Sequence, residues 1–270
     1  MSTSARFWSQ LTTRDFASLD AATTVAVLPL GATEQHGPHL PLGVDSTIVD
    51  GIVEAALPLL PETLPVLFLP TQHIGLSPEH SNFPGTLTLS SETLIRLWKD
   101  IGAGIARAGV RKMVMFNAHG GHVGAMDIVA RELRVAHGMV VYGVSWFNLP
   151  LDDANALFSA DEHRFGVHAG DVETSMMLAL QPGRVCMDLA TDFASASRDR
   201  AGDYPILGNG RSAKLGWAME DYNPAGAAGR SSDASADKGR KVVAAAAAQL
   251  ALLLAEVSRL PLDMLGTPAR

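Results

Sequence analysis

The chain has only one cysteine in 270 residues, which excludes an intrachain disulfide and a metal cluster held by thiolates. This residue, Cys186, lies between apolar neighbours, and neither a histidine nor a lysine stands beside it. A thiol in such surroundings is usually packed and unreactive. We therefore predict that Cys186 is buried and takes no part in catalysis.

Runs of basic residues are also missing, and the formal net charge is -7. An acidic chain without a basic stripe is a poor match to a nucleic-acid backbone. The opening MSTSARFWSQLTTRDF lacks the apolar core of a signal peptide, and no stretch approaches the ~18 apolar residues of a membrane span. We therefore expect a cytoplasmic protein with neither a nucleic-acid nor a membrane partner.

Two signatures of common enzyme classes are absent as well. There is no Gly-x-Ser-x-Gly elbow, which argues against a Ser-His-Asp hydrolase. No Gly-x-Gly-x-x-Gly phosphate cradle follows the first predicted strand, which argues against a dinucleotide-binding protein. The chemistry of this chain must therefore come from other polar motifs.

The sequence does contain a regular alternation of apolar runs and helical patterns. Apolar runs predict strands at 24–30, 66–69, 110–116 and 139–144. Helical spacing predicts helices at 47–60, 91–108, 124–136, 172–180 and 234–259. Strands joined by helices of this length form right-handed crossovers, so we predict an α/β fold with a mostly parallel sheet flanked by helices. The length suits a single domain over 1–270.

One long segment carries little predicted structure. Residues 191–237 are rich in Gly, Ser and Asp, and they are only weakly apolar. Loops of this length inside compact domains are usually functional or disordered. We therefore expect 191–237 to form a lid over an active site or a contact between subunits.

The densest set of reactive side chains follows the first strand, in LPLGATEQHGPHLPLGVD at 28–45. Glu34 and His36 are two positions apart on an extended backbone, so both can point to one place. Asp45 can close on that place from the far end of the loop. This density of metal-capable side chains favours a metal site over a polar surface loop.

Polar loops follow the later strands too. His73 and His80 follow the second strand, His119 and His122 follow the third, and Trp146 follows the fourth. The carboxyl ends of parallel strands meet at one edge of the sheet, where α/β proteins place their sites. We therefore expect these loops to build one site together with the first loop.

The available ligands indicate the metal and the chemistry. Imidazole and carboxylate donors without sulfur suit Zn²⁺, Mn²⁺ or Fe²⁺. These donors exceed what one tetrahedral ion needs, which favours two divalent ions with Asp45 bridging them. Two ions ~3.5–4 Å apart produce a hydroxide at neutral pH and polarise a carbonyl. The residues therefore predict metal-assisted hydrolysis.

Five phrases of the sequence, taken together, resemble the creatininase (creatinine amidohydrolase) family. They are LPLGATEQHGPHLPLGVD, HIGLSPEHSNFPGTLTLS, FNAHGGH, VHAGDVETSMML and, more loosely, AGAAGRSSDASADKGRK, in that order from about residue 24 to 245. The resemblance implies an α/β fold, a dinuclear metal centre, hydrolysis of cyclic or linear amide bonds, and homo-oligomers that are often hexameric.

The resemblance also implies metal ligands. Glu34 and His119 would hold one ion, His36 would hold the other, and Asp45 would bridge them. Creatinine-hydrolysing members carry a glutamate where this chain has Gly121. The HGG form resembles instead the deformylase-like, lactone-hydrolase-like and peptide-processing branches of the family.

Two further residues gain roles from the resemblance. Glu173 becomes the candidate to complete the second ion, directly or through a water; otherwise it is a first-turn glutamate favoured by the helix dipole. His168 resembles the family's catalytic histidine, which would take a proton during attack and return it to the leaving nitrogen. The alternative for His168 is a helix-end histidine bonded to a backbone carbonyl. We expect His39 to be a surface-loop residue rather than a ligand.

The candidates for substrate contact are aromatic and imidazole side chains near the expected site. Each histidine of this group can instead support a metal ligand, and each tryptophan can instead belong to the core or to an interface. They are His73, His80, His122, Trp146 and Trp217.

The leading hypothesis is a metal-dependent hydrolase whose metal-bound hydroxide cleaves a C–N bond in a small cyclic amide, a formamide or a short peptide. One alternative keeps the site and changes the bond, giving a lactone or ester hydrolase that acts on a sugar-derived ring. Another is a catalytically silent binding protein that retains the metals.

Overall fold

The computed structural model describes residues 5–264 and 266, and these residues contain the predicted parallel sheet. Its strands lie side by side in the order β2-β1-β3-β4, and every pairing is parallel. The prediction of a single α/β domain with a parallel sheet is confirmed; residues 1–4, 265 and 267–270 of the predicted 1–270 domain lie outside the described residues. The strands are Val25–Leu30 (β1), Val66–Phe68 (β2), Lys112–Asn117 (β3) and Val140–Ser145 (β4).

Helices occupy the segments before, between and after the strands. The long helices predicted from the sequence are present, but α2 begins at Val44, earlier than predicted, so that Asp45 lies in its first turn. In chain order the helices are Thr13–Phe16 (α1), Val44–Ala56 (α2), Ser91–Arg107 (α3), Val123–His137 (α4), Asp152–Asn155 (α5), Ala160–Phe165 (α6), Asp171–Leu180 (α7), Ser197–Asp203 (α8) and Ala236–Arg259 (α9).

Strand β1 runs through the middle of the sheet and is buried on both faces. Val25 and Val27 pack with side chains of α2, α7 and α9, whereas Ala26 and Leu28 pack with side chains of α3 and α4. Alternate residues of a strand point to opposite faces, so a continuous apolar run is what a sheet covered on both sides requires. Because both faces are filled, a site can open only at the strand ends.

Helix α9 is long and apolar enough to cross a membrane by length and composition alone, and the sequence-based expectation did not foresee this. In the fold, however, Val242, Ala246, Leu250 and Leu254 recur every four residues and are buried against α2 and α7. This spacing places them on one face of the helix. The core of the domain therefore accounts for the apolar face of α9.

The region after α7 departs from the predictions. Cys186 is exposed, so the prediction that it is buried is wrong. It lies between two short 3-10 turns, 182–184 and 187–189. Neither turn contains a buried residue, so this segment does not form a face that packs on the core. The following segment, 191–237, contains α8 and a small antiparallel sheet of Asp192–Phe193 (β5) and Gly229–Arg230 (β6).

Candidate metal centre

Six of the side chains predicted to bind metal or to catalyse lie together at the carboxyl edge of the sheet. The loop after β1 returns to α2 beside Gly31, where a Cβ atom would lie only 2.5–2.8 Å from atoms of Ser46. This close approach brings the start of α2 against the end of β1. The converging residues are Glu34 and His36 after β1, Asp45 in α2, His119 after β3, and His168 and Glu173 around the start of α7.

The donor atoms of this cluster fall into three sets, each around one point. His119 Nδ1 lies 3.2 Å from Glu34 Oε1 and 3.5 Å from Asp45 Oδ2, and His36 Nε2 lies 3.6 Å from Asp45 Oδ1. Asp45 therefore faces ligands on both sides. Three sets of donors have ligand atoms within 4.8 Å of one another: Glu34, Asp45 and His119; His36, Asp45 and Glu173; and Glu34, His36 and His168.

The three histidines of the cluster are held in the same way. One ring nitrogen of each lies near a backbone carbonyl oxygen, which can only accept, so that nitrogen carries the proton. In the neutral ring the other nitrogen then presents its lone pair to the cluster, which is the arrangement of metal-ligating histidines. The pairs are His36 Nδ1 with the Glu34 carbonyl at 3.0 Å, His119 Nε2 with that of Leu76 at 2.9 Å, and His168 Nε2 with that of Gln35 at 2.7 Å.

Several buried polar atoms of the cluster have no hydrogen-bond partner among the described residues. They include both carboxylate oxygens of Glu34, Nε2 of His36 and Oδ2 of Asp45. Buried polar atoms are almost always partnered, because leaving them without a partner costs free energy. These atoms are oxygen and nitrogen donors aimed at shared points, so the residues fit divalent cations such as Zn²⁺, Mn²⁺ or Fe²⁺.

The charges of the cluster depend on one another. Burial acts to raise the pKa of Glu34, but the neighbouring rings of His119, His80 and His168 outweigh it and hold that pKa well below its usual range. Burial acts to lower the pKa of His36, but the nearby Asp45 carboxylate, with the charges of Glu173 and Glu34, raises it to about 9. The carboxylates and imidazoles thus stabilise each other's charged forms, as they would stabilise a cation between them.

His168 differs from its neighbours in electrostatic terms. Burial and the charges of His36 and His80 hold its pKa well below the ordinary value for histidine. The ring is therefore neutral near pH 7, and its Nδ1 lies 3.8 Å from Glu34 Oε1. A neutral imidazole with a free lone pair beside a metal-capable cluster can accept a proton.

Glu173 lies in the first turn of α7, within the cluster beside His36 and Asp45. Its Oε2 accepts a hydrogen bond from the Ala169 backbone N–H at 2.6 Å, and burial raises its pKa to about 7 against the opposing charge of His36. At Gly121 a Cβ atom would lie 2.4 Å from both Glu79 Oε1 and His119 Nε2. Position 121 therefore has no room for a side chain in this fold.

His80 is fixed by Gln35. The Gln35 side-chain oxygen accepts from the Gly37 backbone N–H at 3.0 Å, so its amide nitrogen donates to His80 Nδ1 at 2.7 Å. His80 then carries its proton on Nε2, which lies 3.4 Å from Glu34 Oε1. This histidine lines the cavity over the cluster and points a donor at a cluster carboxylate.

Two other histidines predicted to contact substrate, His122 and His73, do not line the cavity over the cluster. His122 is buried and both its nitrogens are used: Nδ1 donates to Asn117 Oδ1 at 2.9 Å, and Nε2 accepts from the Leu76 backbone N–H at 3.1 Å. It lies behind His119 and does not line the cavity. His73 is exposed and lines a separate cavity beside α2, so the fold does not bring it to the cluster.

His39 is not a surface residue as expected. It is 1% exposed, and its Nε2 lies 2.9 Å from Thr174 Oγ1 in α7. Its ring stacks on Phe193, with the ring centroids 5.5 Å apart. Its contacts with Thr174 and Phe193, both distant in the sequence, account for its burial.

A cavity of about 440 Å³ opens over the cluster. Trp146, which is buried, and Trp217, from the 191–237 segment, lie on its wall. Sequence reasoning missed Glu79 and Glu162, which also line it. The Glu79-His80 pair follows the second strand in the same loop as a predicted histidine, which was the one signal that could have identified Glu79.

Comparison with known proteins places this arrangement in a family. The family model for creatininase, creatinine amidohydrolase, matches residues 9–254. Creatinine amidohydrolase of Pseudomonas putida is 30% identical over 215 residues, which cover 74% of this chain and 81% of that enzyme. Mycofactocin precursor peptide peptidase of Mycobacterium tuberculosis is 34% identical over 173 residues, and the match spans only 62% of each chain. The 3-dehydro-scyllo-inosose hydrolase of Thermotoga maritima is 26% identical over 81% of this chain and 73% of its own length.

Solved structures agree with this result. A crystal structure of creatinine amidohydrolase (creatininase) has a TM-score of 0.74 and 26% identity, covering 94% of this chain and 98% of that one. Creatininase structures described as the Zn-Zn type and as Mn creatininase have TM-scores of 0.71 and 0.70, at 26% and 25% identity; each covers 93% of this chain and 98% of its own. The family model over most of the chain, the curated relatives and these structures together show that the chain belongs to the creatininase family of hydrolases.

Proposed function

We propose that the protein is a two-metal hydrolase. It cleaves the amide C–N bond of a small cyclic amide, a formamide or a short peptide. The observation that carries the proposal is the position of Asp45. Its carboxylate belongs to two sets of converging donors, one with Glu34 and His119 and the other with His36 and Glu173. A carboxylate shared in this way is the natural bridge between two ions.

The proposal assigns each ligand. Glu34 and His119 would hold the first ion, and His36 would hold the second. Asp45 would be shared by the two ions, and Glu173 would complete the second one in place of an acid at position 121. The unpartnered atoms of Glu34, His36 and Asp45 support this assignment. They are buried and have no hydrogen-bond partner among the described residues, and a bound cation would supply the missing partner.

Bound divalent ions would polarise the substrate carbonyl and acidify the attacking water. His168 Nδ1 then accepts a proton from the attacking water, whose oxygen adds to the carbonyl carbon. When the tetrahedral intermediate collapses, the C–N bond breaks and the same His168 nitrogen returns the proton to the leaving nitrogen. The hydrogen bond from His168 Nε2 to the Gln35 carbonyl keeps the ring aimed throughout.

The second group near the carbonyl is His80. Gln35 fixes its proton on Nε2, so His80 can hold Glu34 in place and lies on the cavity wall where substrate enters. Trp146 and Trp217 supply flat walls for a planar amide. Trp217 lies edge-on to His80, with the ring centroids 6.0 Å apart, which supports a role for 191–237 as the cover of this cavity.

The test is an activity screen of the metal-loaded protein against creatinine, N-formyl compounds and short peptides. Wild type should hydrolyse at least one amide class, and His168→Gln should lower kcat by about 10²–10⁴-fold, the usual contribution of a positioned acid-base group. The matched control is His73→Gln, an exposed histidine in a separate cavity, which should retain wild-type activity. Absence of amide hydrolysis with metals bound would overturn the proposal.

A lactone or ester hydrolase acting on a sugar-derived ring is the second candidate. A relative that is 26% identical over 81% of this chain, 3-dehydro-scyllo-inosose hydrolase, acts on a polyhydroxylated ring, which supports a sugar-like ring as the substrate. The same residues would serve, with the leaving oxygen taking the proton from His168. Including sugar lactones in the screen separates the two candidates, because only one bond class should show a high kcat/KM. Metal binding with no turnover of either class would instead indicate a silent binding protein.

We further propose that the protein works in the cytoplasm as a homo-oligomer, hexameric by analogy with the family. Exposed apolar side chains such as Val135, Ile206 and Leu252 offer surface for such contacts. Sedimentation velocity of the purified protein tests the assembly state, and a monomer at all concentrations would contradict it.

A further inference from the structure

A second and larger cavity lies beside the one over the metal-capable cluster. It has a volume of about 1250 Å³, compared with about 440 Å³ for the catalytic cavity. Cavities for small ligands usually measure about 300–1,000 Å³, so this one is larger than a compact cyclic amide needs. Half of its wall comes from the 204–215 stretch, which lies in the predicted cover segment. We call this cavity the basic groove, because four basic side chains lie on its wall.

The charged side chains on the wall of the groove all have the same sign. They are Arg164, Arg200, Arg211 and Lys214, and no acidic residue lines the groove among the described residues. None of the four takes part in an ion pair within the part of the chain that the structure describes. In a chain whose net charge is -7, four unpaired cations on one concave surface produce a local positive field.

The position of one of these cations is fixed by its neighbours. The Arg200 guanidinium lies over the Tyr222 ring, 4.8 Å from its centroid, and its Nη1 donates to the Asp221 carbonyl at 3.0 Å. Its Nη2 is buried and has no hydrogen-bond partner among the described residues. Guanidinium groups held on aromatic rings bind carboxylates in a fixed geometry.

The groove also has an apolar lining. Phe165 carries the Arg164 guanidinium 4.8 Å from its ring centroid. Tyr204, Leu207 and Leu215 are about half exposed or more, on the same wall. Alternating cationic and apolar surface suits an extended chain with both acidic and apolar side chains.

The groove is adjacent to the catalytic cavity. His163 and Val167 line both cavities. Trp217 on the catalytic wall contacts Tyr222 on the groove wall edge to face, with the ring centroids 5.1 Å apart. The two cavities therefore lie close enough for one extended molecule to occupy both.

We propose that the basic groove binds the acidic part of a linear peptide whose scissile amide lies at the metal centre. The inference rests on the proposed amide-hydrolase function and selects, among its substrates, short peptides with carboxylate side chains. Charge complementarity and the wall that the two cavities share at His163 and Val167 support this occupant. A compact cyclic amide or formamide would leave the groove unused.

The experiment measures binding of a fluorescently labelled, Glu-rich octapeptide and of a Gln-for-Glu peptide of equal length. Fluorescence anisotropy is recorded with metal-loaded His168→Gln protein, in which turnover should be slowed. The test variant adds Arg211→Gln and Lys214→Gln, and the control adds Arg96→Gln and Arg184→Gln. Both control residues are exposed arginines that do not line the groove, so they remove the same charge elsewhere.

The acidic peptide should bind more tightly than the neutral one, and its affinity should fall as salt is raised. The test variant should weaken its binding by about threefold to tenfold, the range for two partly exposed charge contacts, while the control should change it by less than about twofold. With active protein, the same test variant should raise KM for an acidic peptide and leave kcat unchanged.

Four outcomes would overturn the proposal. They are equal binding of the two peptides, equal weakening by the test and control variants, tighter binding of a single-stranded oligonucleotide of equal charge, and a lower oligomeric state of the test variant in sedimentation velocity. The last would identify the groove as a contact between copies of this chain. Hydrolysis of small amides without acidic-peptide binding would reject the groove alone. Charge-dependent peptide binding without any hydrolysis would reject the proposed function alone.

Discussion

The Glu162 carboxylate accepts a hydrogen bond from the backbone N–H of Asp171 at 2.7 Å, although the two residues belong to different helices. Asp171 is the first residue of α7, so Glu162 satisfies an N–H group that the helix itself cannot. The other oxygen of Glu162 accepts from the Arg230 backbone N–H at 2.8 Å. Glu162 thus ties together the loop that carries His168 and the strand beside it, because His168 and Ala228 also pair through their backbones.

Replacing Glu162 by glutamine should destabilise the protein. The amide keeps the size of the side chain but turns one acceptor into a donor, which leaves a buried backbone N–H unpaired. An unpaired buried donor and a lost charged hydrogen bond cost about 2 kcal/mol of unfolding free energy. Urea denaturation followed by circular dichroism measures the change.

The control for Glu162→Gln is Asp161→Asn on the same helix. Asp161 is exposed and forms a surface ion pair with Arg198. Exposed ion pairs contribute at most about 1 kcal/mol, so the control should lose much less stability. Equal losses in the two variants would show that Glu162 has no special role in holding the loop.

Adding a methyl group at Gly121 should weaken metal binding. A Cβ atom there would lie 2.4 Å from His119 Nε2 and 2.7 Å from the Leu76 carbonyl oxygen that holds His119. The ring must move, and disturbing the partners of a ligating histidine typically costs about 10–100-fold in metal affinity. Competition with a chromogenic chelator measures this loss in Gly121→Ala.

The adjacent residue provides a matched control for that variant. A Cβ atom at Gly120 would meet nothing within 4 Å, and both glycines lie in the same short 3-10 turn. Gly120→Ala should therefore bind metal within about twofold of wild type, well inside the loss expected for a disturbed ligand partner. Comparable losses in both variants would point to the flexibility of the turn rather than to the crowding of His119.

His39 should make stability depend on pH. Burial and the charge of His36 lower the pKa of His39 to about 4, below the ordinary histidine value of 6.5. The unfolded chain then binds more protons between these two values, so this contribution to stability is lost as the pH falls from about 6.5 to 4.

The measurement compares wild type with His39→Gln at several pH values. Glutamine can keep the hydrogen bond to Thr174 without titrating. The difference in unfolding free energy between the two proteins should shift in favour of His39→Gln as the pH is lowered through this window. A difference that does not change with pH would show that His39 has an ordinary pKa in the fold.

Much of the fold and the main cluster could be predicted from the sequence. Apolar runs separated by helical patterns specify a parallel sheet, and parallel strands end at one edge, which is why Glu34, His36 and His119 were expected together. The pattern could not give the orientation of His73 and His122. Whether a loop histidine faces a cavity depends on tertiary hydrogen bonds, such as those of Asn117 and Leu76 with His122.

Other features depend on contacts between distant segments and were missed for that reason. The burial of His39 follows from its contact with Thr174, 135 residues away. The role of Glu162 follows from its contact with Arg230, 68 residues away. Likewise Cys186 has apolar neighbours along the chain but none of the packing that regular structure would supply. Local composition predicts secondary structure well, whereas these properties are set by the tertiary fold.

The most direct test of the account counts metal ions per chain by elemental analysis after reconstitution with Zn²⁺ or Mn²⁺. Because Asp45 faces both sets of donors, wild type should hold two ions and Asp45→Asn should hold clearly fewer. His73→Gln should retain two, since His73 lies in a separate cavity. One ion or none in the wild type, or two ions retained in Asp45→Asn, would contradict a two-metal centre bridged by Asp45.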